Sequence, residues 1–219
     1  MKTAICFSGL VRNYDKYIDH WVDFIKYWNS DVFIHTWNVF DQIDRKEIPN
    51  SVFNYINSLL SPKMFDYYNL DISEETFLQY KKWNFKKEDW HSKDAINFAG
   101  MYHSICESNQ MRRNYQKITN INYDIVFRAR FDFGFQDKLL HGDIKEGSLN
   151  LLPINRSDGY CDIFAAGSSV DMNIYSSLYM NYDECCENIK LMRPEDMLKY
   201  WIDKHNIPVN IINNKYLIK

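Results

Sequence analysis

The side chains with the clearest chemical meaning lie in the segment YDIVFRARFDF, residues Tyr123–Phe133. In a β-strand successive side chains point to opposite faces, so Arg128, Arg130 and Asp132 are predicted to share one face. The planar guanidinium of arginine suits phosphate oxygens, and an aspartate beside a diphosphate suits Mg²⁺ or Mn²⁺. The pattern predicts a polar, anion-binding pocket. The alternative is an internal Arg–Asp ladder on a solvated edge strand.

A second feature is the turn Ser8–Arg12, which follows the first apolar run of the chain. Gly9 allows a sharp turn, the start of a helix favours anions, and Arg12 adds a positive charge. The sequence contains neither G-x-G-x-x-G nor G-x-x-x-x-G-K-[ST]. These absences argue against a classical dinucleotide-binding fold and against a P-loop.

The elements around these residues follow the order strand, turn, helix, strand. Thr3–Phe7 is a compact apolar run, Tyr14–Trp28 carries an apolar stripe with helical spacing, and Asp31–Trp37 is a second strand. This order opens a parallel α/β sheet, in which ligands bind at the carboxyl ends of the strands. We expect the Ser8 turn and the Arg128–Asp132 strand end to flank one ligand there.

The rest of the chain continues to alternate between predicted strands and helices, without an internal repeat, a low-complexity tract or a linker. We predict a single domain over residues 1–219, built as three α/β/α layers around a mostly parallel sheet. Residues 71–93 receive no assignment. The other predicted elements are a helix from Pro49–Ser51 to about Leu60, a strand Met64–Tyr68, a helix capped by Asp94 and ending near Lys117, the central strand Tyr123–Phe135, strands Leu149–Leu152 and Ile163–Ala166, a helix from Pro194 to His205–Asn206, and a strand Val209–Ile212.

Composition narrows the classes of partner. The formal net charge of -3 argues against a protein that coats nucleic acid. The five cysteines are irregularly spaced, which predicts reduced thiols in the cytoplasm and argues against a structural zinc site. No stretch approaches the ~20 apolar residues of a transmembrane helix, so membrane contact, if present, is expected to be peripheral. The oligomeric state is left open.

Three motifs together resemble one enzyme family. FSGLVR after the first strand, DVFIHTW as the second and YDIVFRARFDF in the middle resemble small GT-A-type glycosyltransferases of large DNA viruses and bacterial surface-polysaccharide clusters. GYCDIFAAGS and RPEDMLKYW are similar to their acceptor-side and C-terminal elements, so the resemblance spans nearly the whole chain. It implies a GT-A-like fold and transfer of a hexosyl or related sugar from a nucleotide-diphosphate sugar to a hydroxyl of a glycan or other acceptor, as in polysaccharide biosynthesis.

The resemblance also implies roles for particular residues. In this family the central strand ends in an Asp-x-Asp motif that holds a metal and the nucleotide, whereas the segment Arg130–Asp132 keeps only the second acid. Asp132 would then bind Mn²⁺ or Mg²⁺ or lie beside the diphosphate, and Arg128 and Arg130 could instead neutralise the diphosphate directly. By the same comparison, the nucleoside or its phosphates would contact Ser8, Gly9 and Arg12.

Sugar transfer can also use a base, which an acidic side chain can provide. A cation stabilises the departing diphosphate, and a carboxylate can take the proton of the acceptor hydroxyl. Asp162 is the first candidate for this base, and Glu195 and Asp196 come next. The structural alternatives are a strand-start or turn aspartate for Asp162, and dipole-stabilising acids in a first helical turn for the other two.

Two other functions fit the same residues. A hydrolase of a phosphate ester or sugar phosphate would use the same cationic pocket but would need no acceptor. A non-catalytic carbohydrate- or nucleotide-binding module would account for the missing first acid of the Asp-x-Asp pattern.

Overall fold

The computed structural model describes residues 1–40, 45–85, 95–154 and 158–218. Within these ranges, nine segments are β-strands. They are β1 (Thr3–Ser8), β2 (Ser30–Trp37), β3 (Met64–Tyr68), β4 (Ile125–Ala129), β5 (Phe133–Phe135), β6 (Leu149–Leu151), β7 (Phe164–Gly167), β8 (Val209–Ile211) and β9 (Tyr216–Ile218). All but β5 and β9 belong to the main sheet.

The main sheet has the strand order β3-β2-β1-β4-β7-β6-β8. β1 is parallel to β2 and to β4, and β2 is parallel to β3. β6 is parallel to β8, whereas β7 runs antiparallel to both β4 and β6. The sheet is therefore mostly parallel, as predicted, and β4 lies in its middle. β5 and β9 form a separate antiparallel pair.

Helices cover both faces of the sheet. They are α1 (Tyr14–Trp28), α2 (Asn50–Leu60), α3 (Leu70–Phe77), α4 (Ala95–Thr119), α5 (Ser169–Ser176), α6 (Tyr182–Asn188) and α7 (Pro194–Lys204), with 3-10 segments at Leu78–Phe85, His141–Asp143 and Ser177–Asn181. One apolar cluster packs α1 and α2 against one face of the sheet. A second cluster packs the five helices from α3 through α7 against the opposite face. This is the predicted three-layer α/β domain.

Helix α1 shows how the sequence specifies this packing. Its bounds agree with the apolar stripe, and Tyr17, Trp21 and Trp28 are among its buried residues. The helix ends at Trp28, and the capping residue Asn29 adopts a left-handed conformation with φ of 49°. Asparagine tolerates that conformation better than most residues, so the chain can turn directly into β2.

The central strand is shorter than predicted. β4 ends at Ala129, and the chain turns through Arg130–Asp132 before β5 begins at Phe133. The prediction of one strand over Tyr123–Phe135 was therefore wrong. The aromatic residues Phe131 and Phe133 are fully buried in the same cluster as β4, so apolar alternation continues although strand pairing does not.

Helix α4 agrees with the predicted long helix, but the predicted cap Asp94 lies outside the described residues. In the part of the chain that the structure describes, each helix is too short or too polar to cross a membrane.

Candidate active site

A cavity of about 430 Å³ opens where β1 and β4 end. This is the carboxyl edge of the parallel strands, the place where α/β sheets bind ligands. Most of the predicted site residues meet here. The cavity is lined by Ser8, Gly9, Arg12, Arg128, Arg130, Asp162 and Glu195 together with apolar side chains.

Larger cavities also lie elsewhere among the described residues. One of about 980 Å³ opens at the opposite edge of the sheet, where Trp28, Ile125 and Gly167 line it. One of about 500 Å³ lies between α1 and β5. Both are larger, but neither contains a predicted site residue, so the chemistry of the lining singles out the cavity at the carboxyl edge.

Arg128 and Ser8 are held side by side by strand pairing. β1 and β4 are parallel, with Cys6 opposite Arg128. The Arg128 Nε donates to the Ser8 hydroxyl oxygen at 3.0 Å, and Arg128 is only 1% exposed. A solvated edge strand, the structural alternative for this segment, is contradicted by these positions.

Among the described residues, the rest of the Arg128 guanidinium has no such partner. Its Nη1 and Nη2 atoms are buried and make no hydrogen bond to the described residues. An unpaired buried charged group is costly, so such groups are normally paired or bound to a ligand. The guanidinium of a cavity-lining residue therefore offers donors that fit an anion with two or more oxygen atoms.

The Gly9 turn is fixed from behind by α4. The Gly9 amide donates to the Ser104 hydroxyl oxygen at 2.8 Å, so this N–H is directed to protein rather than to a ligand. Ser104 donates its own hydrogen to the His35 carbonyl oxygen, and its oxygen lies 2.9 Å from His35 Nδ1. His35 Nδ1 must then carry a hydrogen, which leaves Nε2 as a buried acceptor without a partner among the described residues. Ser104 thus joins the turn to β2.

Asp132 lies between two arginines. Arg130 donates to Oδ1 from Nε at 2.8 Å and to Oδ2 from Nη2 at 2.6 Å. Arg12 donates from Nε to Oδ2 at 2.7 Å. Burial alone would raise the pKa of Asp132, but the hydrogen bonds and charges of the two arginines outweigh it and hold that pKa below its usual value.

Asp162 and Glu195 supply the acidic part of the cavity. Asp162 is 6% exposed and precedes β7, and Glu195 lies in the first turn of α7. Burial, and after it the nearby charge of Asp162, raise the pKa of Glu195. The turn before Asp162 packs on this helix, because the Tyr160 amide donates to the Glu195 carbonyl oxygen at 3.0 Å. Asp196 is not among the residues that line the cavity.

Several lining residues were not predicted. Trp37 ends β2, and Phe98 and Met101 come from the first turns of α4. They add apolar lining to the charged groups of the cavity, a combination typical of sites for organic ligands. Trp37 could have been predicted as a lining residue, because it stands at the end of a predicted parallel strand. Nothing in the sequence indicated that Phe98 and Met101 would line the cavity.

The surroundings of Asp132 do not fit a divalent cation. Both carboxylate oxygens already accept hydrogen bonds from guanidinium groups, and the residue is 2% exposed. Across the described ranges, groups of three or more His, Cys, Asp or Glu side chains suited to a metal do not occur. The assignment of Asp132 as a Mn²⁺ or Mg²⁺ ligand stays a prediction, and the arrangement favours direct neutralisation of a ligand by arginine.

Comparison with known proteins finds no relative by sequence and a distant likeness in structure. The sequence matches no family model and no curated protein. The structure is similar to mouse xyloside xylosyltransferase 1 in its apo form, with a TM-score of 0.47 and 7% sequence identity, over 96% of this chain and 85% of that chain. At this level of similarity the likeness does not bear on substrate or activity.

Proposed function

We propose that the chain is a glycosyltransferase that moves a sugar from a nucleotide-diphosphate sugar to a hydroxyl of a glycan or other acceptor. The observation that carries the proposal is the buried Arg128 guanidinium, which lines the cavity with two nitrogen atoms that have no partner among the described residues. Resemblance of the FSGLVR and FRARFDF segments to GT-A-type enzymes gives separate support.

Each part of the cavity has a role in this reaction. Arg128 binds the diphosphate, and Arg12 and Arg130 extend the positive wall toward solvent. When the bond between the anomeric carbon and the diphosphate oxygen breaks, negative charge grows on the leaving group. Fixed guanidinium groups stabilise that charge, because they need no reorganisation at the moment of reaction. The Ser8 hydroxyl fixes the direction of Arg128.

The acidic wall serves the acceptor. Asp162 takes the proton of the acceptor hydroxyl as the new bond to the anomeric carbon forms. Glu195 keeps its proton to a higher pH than an ordinary glutamate, because burial and Asp162 raise its pKa, and it contacts the sugar hydroxyls. Asp196 is kept as a further candidate acid on the same helical turn.

The apolar lining favours a nucleotide sugar over a simple phosphate ester. Trp37, Phe98 and Met101 provide a surface for a base or sugar ring, which inorganic phosphate and small esters do not use. A volume of about 430 Å³ is in the range of sites for organic ligands of that size.

The test begins with thermal-shift measurements on the whole chain with UDP-, GDP-, ADP-, CDP- and dTDP-sugars, followed by a transfer assay with glycan acceptors and the best donor. A ligand at 100 Kd should stabilise the fold by about 2.7 kcal/mol. We expect one nucleotide sugar to stabilise it and to yield an acceptor-dependent glycoside. Release of phosphate from sugar phosphates would indicate the hydrolase instead, and binding without transfer to any acceptor would indicate the non-catalytic module.

A further inference from the structure

Asp132 lies behind the arginines rather than at the cavity surface. The side chain of Arg12 is 41% exposed and that of Arg130 is 19% exposed, against 2% for Asp132. Arg12 and Arg130 line the cavity, and Asp132 is not among the lining residues. A ligand in the cavity therefore meets guanidinium groups first, and the carboxylate holds those groups in place.

The hydrogen bonds of Asp132 with Arg130 and Arg12 fix the orientation of both guanidinium groups. Arg130 uses Nε and Nη2 on the two oxygens of Asp132, a bidentate arrangement that fixes the plane of the guanidinium. Arg12 donates from its Nε to Oδ2. Two side chains from distant parts of the chain, the first turn and the segment after β4, are thus oriented by one carboxylate.

The charge distribution disfavours a metal at this place. A divalent cation bound to Asp132 would lie within a few ångströms of two guanidinium groups. Like charges at about 4 Å repel by ~4 kcal/mol per unit charge pair in a partly buried site. Binding would also require the carboxylate to release hydrogen bonds of 2.6 to 2.8 Å. A diphosphate, in contrast, finds positive charge already in position.

We infer that this site binds its nucleoside diphosphate without a divalent metal, with Arg12, Arg128 and Arg130 in place of the cation and Asp132 as their positioning residue. The inference depends on the proposed function, since it specifies how the same cavity holds the donor. It assigns Asp132 to the protein side of the site, with no direct contact to the ligand.

The experiment is isothermal titration calorimetry of the whole chain with UDP, GDP, ADP, CDP and dTDP, in chelator and separately with Mn²⁺ or Mg²⁺. We expect one nucleoside diphosphate to bind in chelator with a Kd within about threefold of its value with metal, a difference of under ~0.7 kcal/mol. Binding that appears only with metal, or strengthens at least tenfold with it, would overturn the inference and leave the proposed function standing. Failure of every nucleotide to bind under either condition would overturn both.

Substitutions test whether Asp132 positions the two arginines or binds a metal. Asp132→Asn should weaken binding in chelator about tenfold, because charge-assisted bonds to both arginines are lost. The same substitution made in an Arg12→Met, Arg130→Met background should have little further effect, because Asp132 then has nothing left to position. An equal loss in both backgrounds would contradict the positioning role, as would a loss confined to solutions containing metal. The wild-type titrations remain decisive even if Asp132→Asn does not fold.

Discussion

Gly159 packs against the backbone of Glu195 so closely that no other side chain fits between them. A Cβ atom at Gly159 would lie 2.5 Å from the Glu195 carbonyl carbon and 2.6 Å from its Cβ. These neighbours are backbone and the base of a side chain, which cannot rotate away. The turn that precedes Asp162 is thereby seated on the first turn of α7, and the two acids of the cavity are held together.

Gly159→Ala should therefore move Glu195 and weaken catalysis. We expect the free energy of unfolding to fall by ~1–3 kcal/mol through overpacking, and kcat/KM to fall about tenfold or more because the acidic wall is displaced. Urea denaturation and transfer kinetics check both values. Gly142→Ala is the matched control, since a Cβ there meets nothing within 4 Å. If Gly159→Ala behaves like that control, the seating of Glu195 does not matter.

Arg128→Met should make the ligand-free protein more stable and yet unable to bind donor. The two buried Nη atoms have no hydrogen-bond partner among the described residues, so removing the charge should raise the free energy of unfolding by ~1–3 kcal/mol. Loss of two charge-assisted bonds should weaken the affinity for a nucleoside diphosphate about 100-fold.

The control for that variant is Arg113→Met on the exposed side of α4. It should change stability by no more than ~0.5 kcal/mol and leave affinity unchanged. A strong destabilisation by Arg128→Met, with donor affinity intact, would show that Arg128 is a structural residue.

Asp162→Asn should remove the base while leaving the donor site in place. We expect kcat for transfer to fall by roughly 10²–10⁴, with the Kd for the nucleoside diphosphate changed little. Glu195→Gln is the comparison, because an amide keeps the hydrogen bonds of a protonated carboxyl; its effect on kcat should be much smaller. Rapid-quench kinetics and calorimetry provide the two values. If Glu195→Gln lowers kcat more than Asp162→Asn does, Glu195 is the base and Asp162 is not.

His35 should make the fold sensitive to acid. Burial, together with the nearby charge of His103, lowers the pKa of His35 to about 3. The unfolded chain takes up a proton near pH 6.5, whereas the folded chain does not, so stability is lost as pH falls through 6.5 toward 3. Between pH 6.5 and 5 this single group should cost ~2 kcal/mol.

Urea denaturation between pH 5 and 8 measures that loss. His35→Asn should lose less stability on acidification than the wild type, because the titrating ring is gone. Equal slopes for the two proteins would show that His35 is not the group responsible.

Most of the fold could be predicted because its long elements repeat their apolar pattern. Tyr14–Trp28 forms a helix with the predicted bounds, and β2 ends at Trp37 as predicted. The short helices α5 and α6 were not predicted, since segments of eight and seven residues carry few apolar repeats. The end of β4 was also not predicted, because apolar residues continue to alternate with polar ones beyond it. Phe131 and Phe133 remain buried after the pairing stops, so the pattern continues beyond the strand.

The site could be predicted where it depends on strand ends, and less well elsewhere. Ser8 and Arg128 were found because parallel strands bring their carboxyl ends to one edge. The pairing of Asp132 with Arg12 was not, because both residues lie in turns beyond the ends of β1 and β4, where strand pairing does not fix their distance. Ser104 and Phe98 were missed because the face that a long helix turns toward the sheet depends on packing across the whole domain.

The most direct test of the account is a crystal structure of the chain with its best nucleoside diphosphate, grown in chelator. We expect diphosphate oxygens about 2.7–2.9 Å from Arg128 Nη1 and Nη2, with the base or ribose near Trp37 and Phe98. A nucleotide bound in the cavity of about 980 Å³ at the opposite edge of the sheet, or a diphosphate that does not contact Arg128, would contradict it.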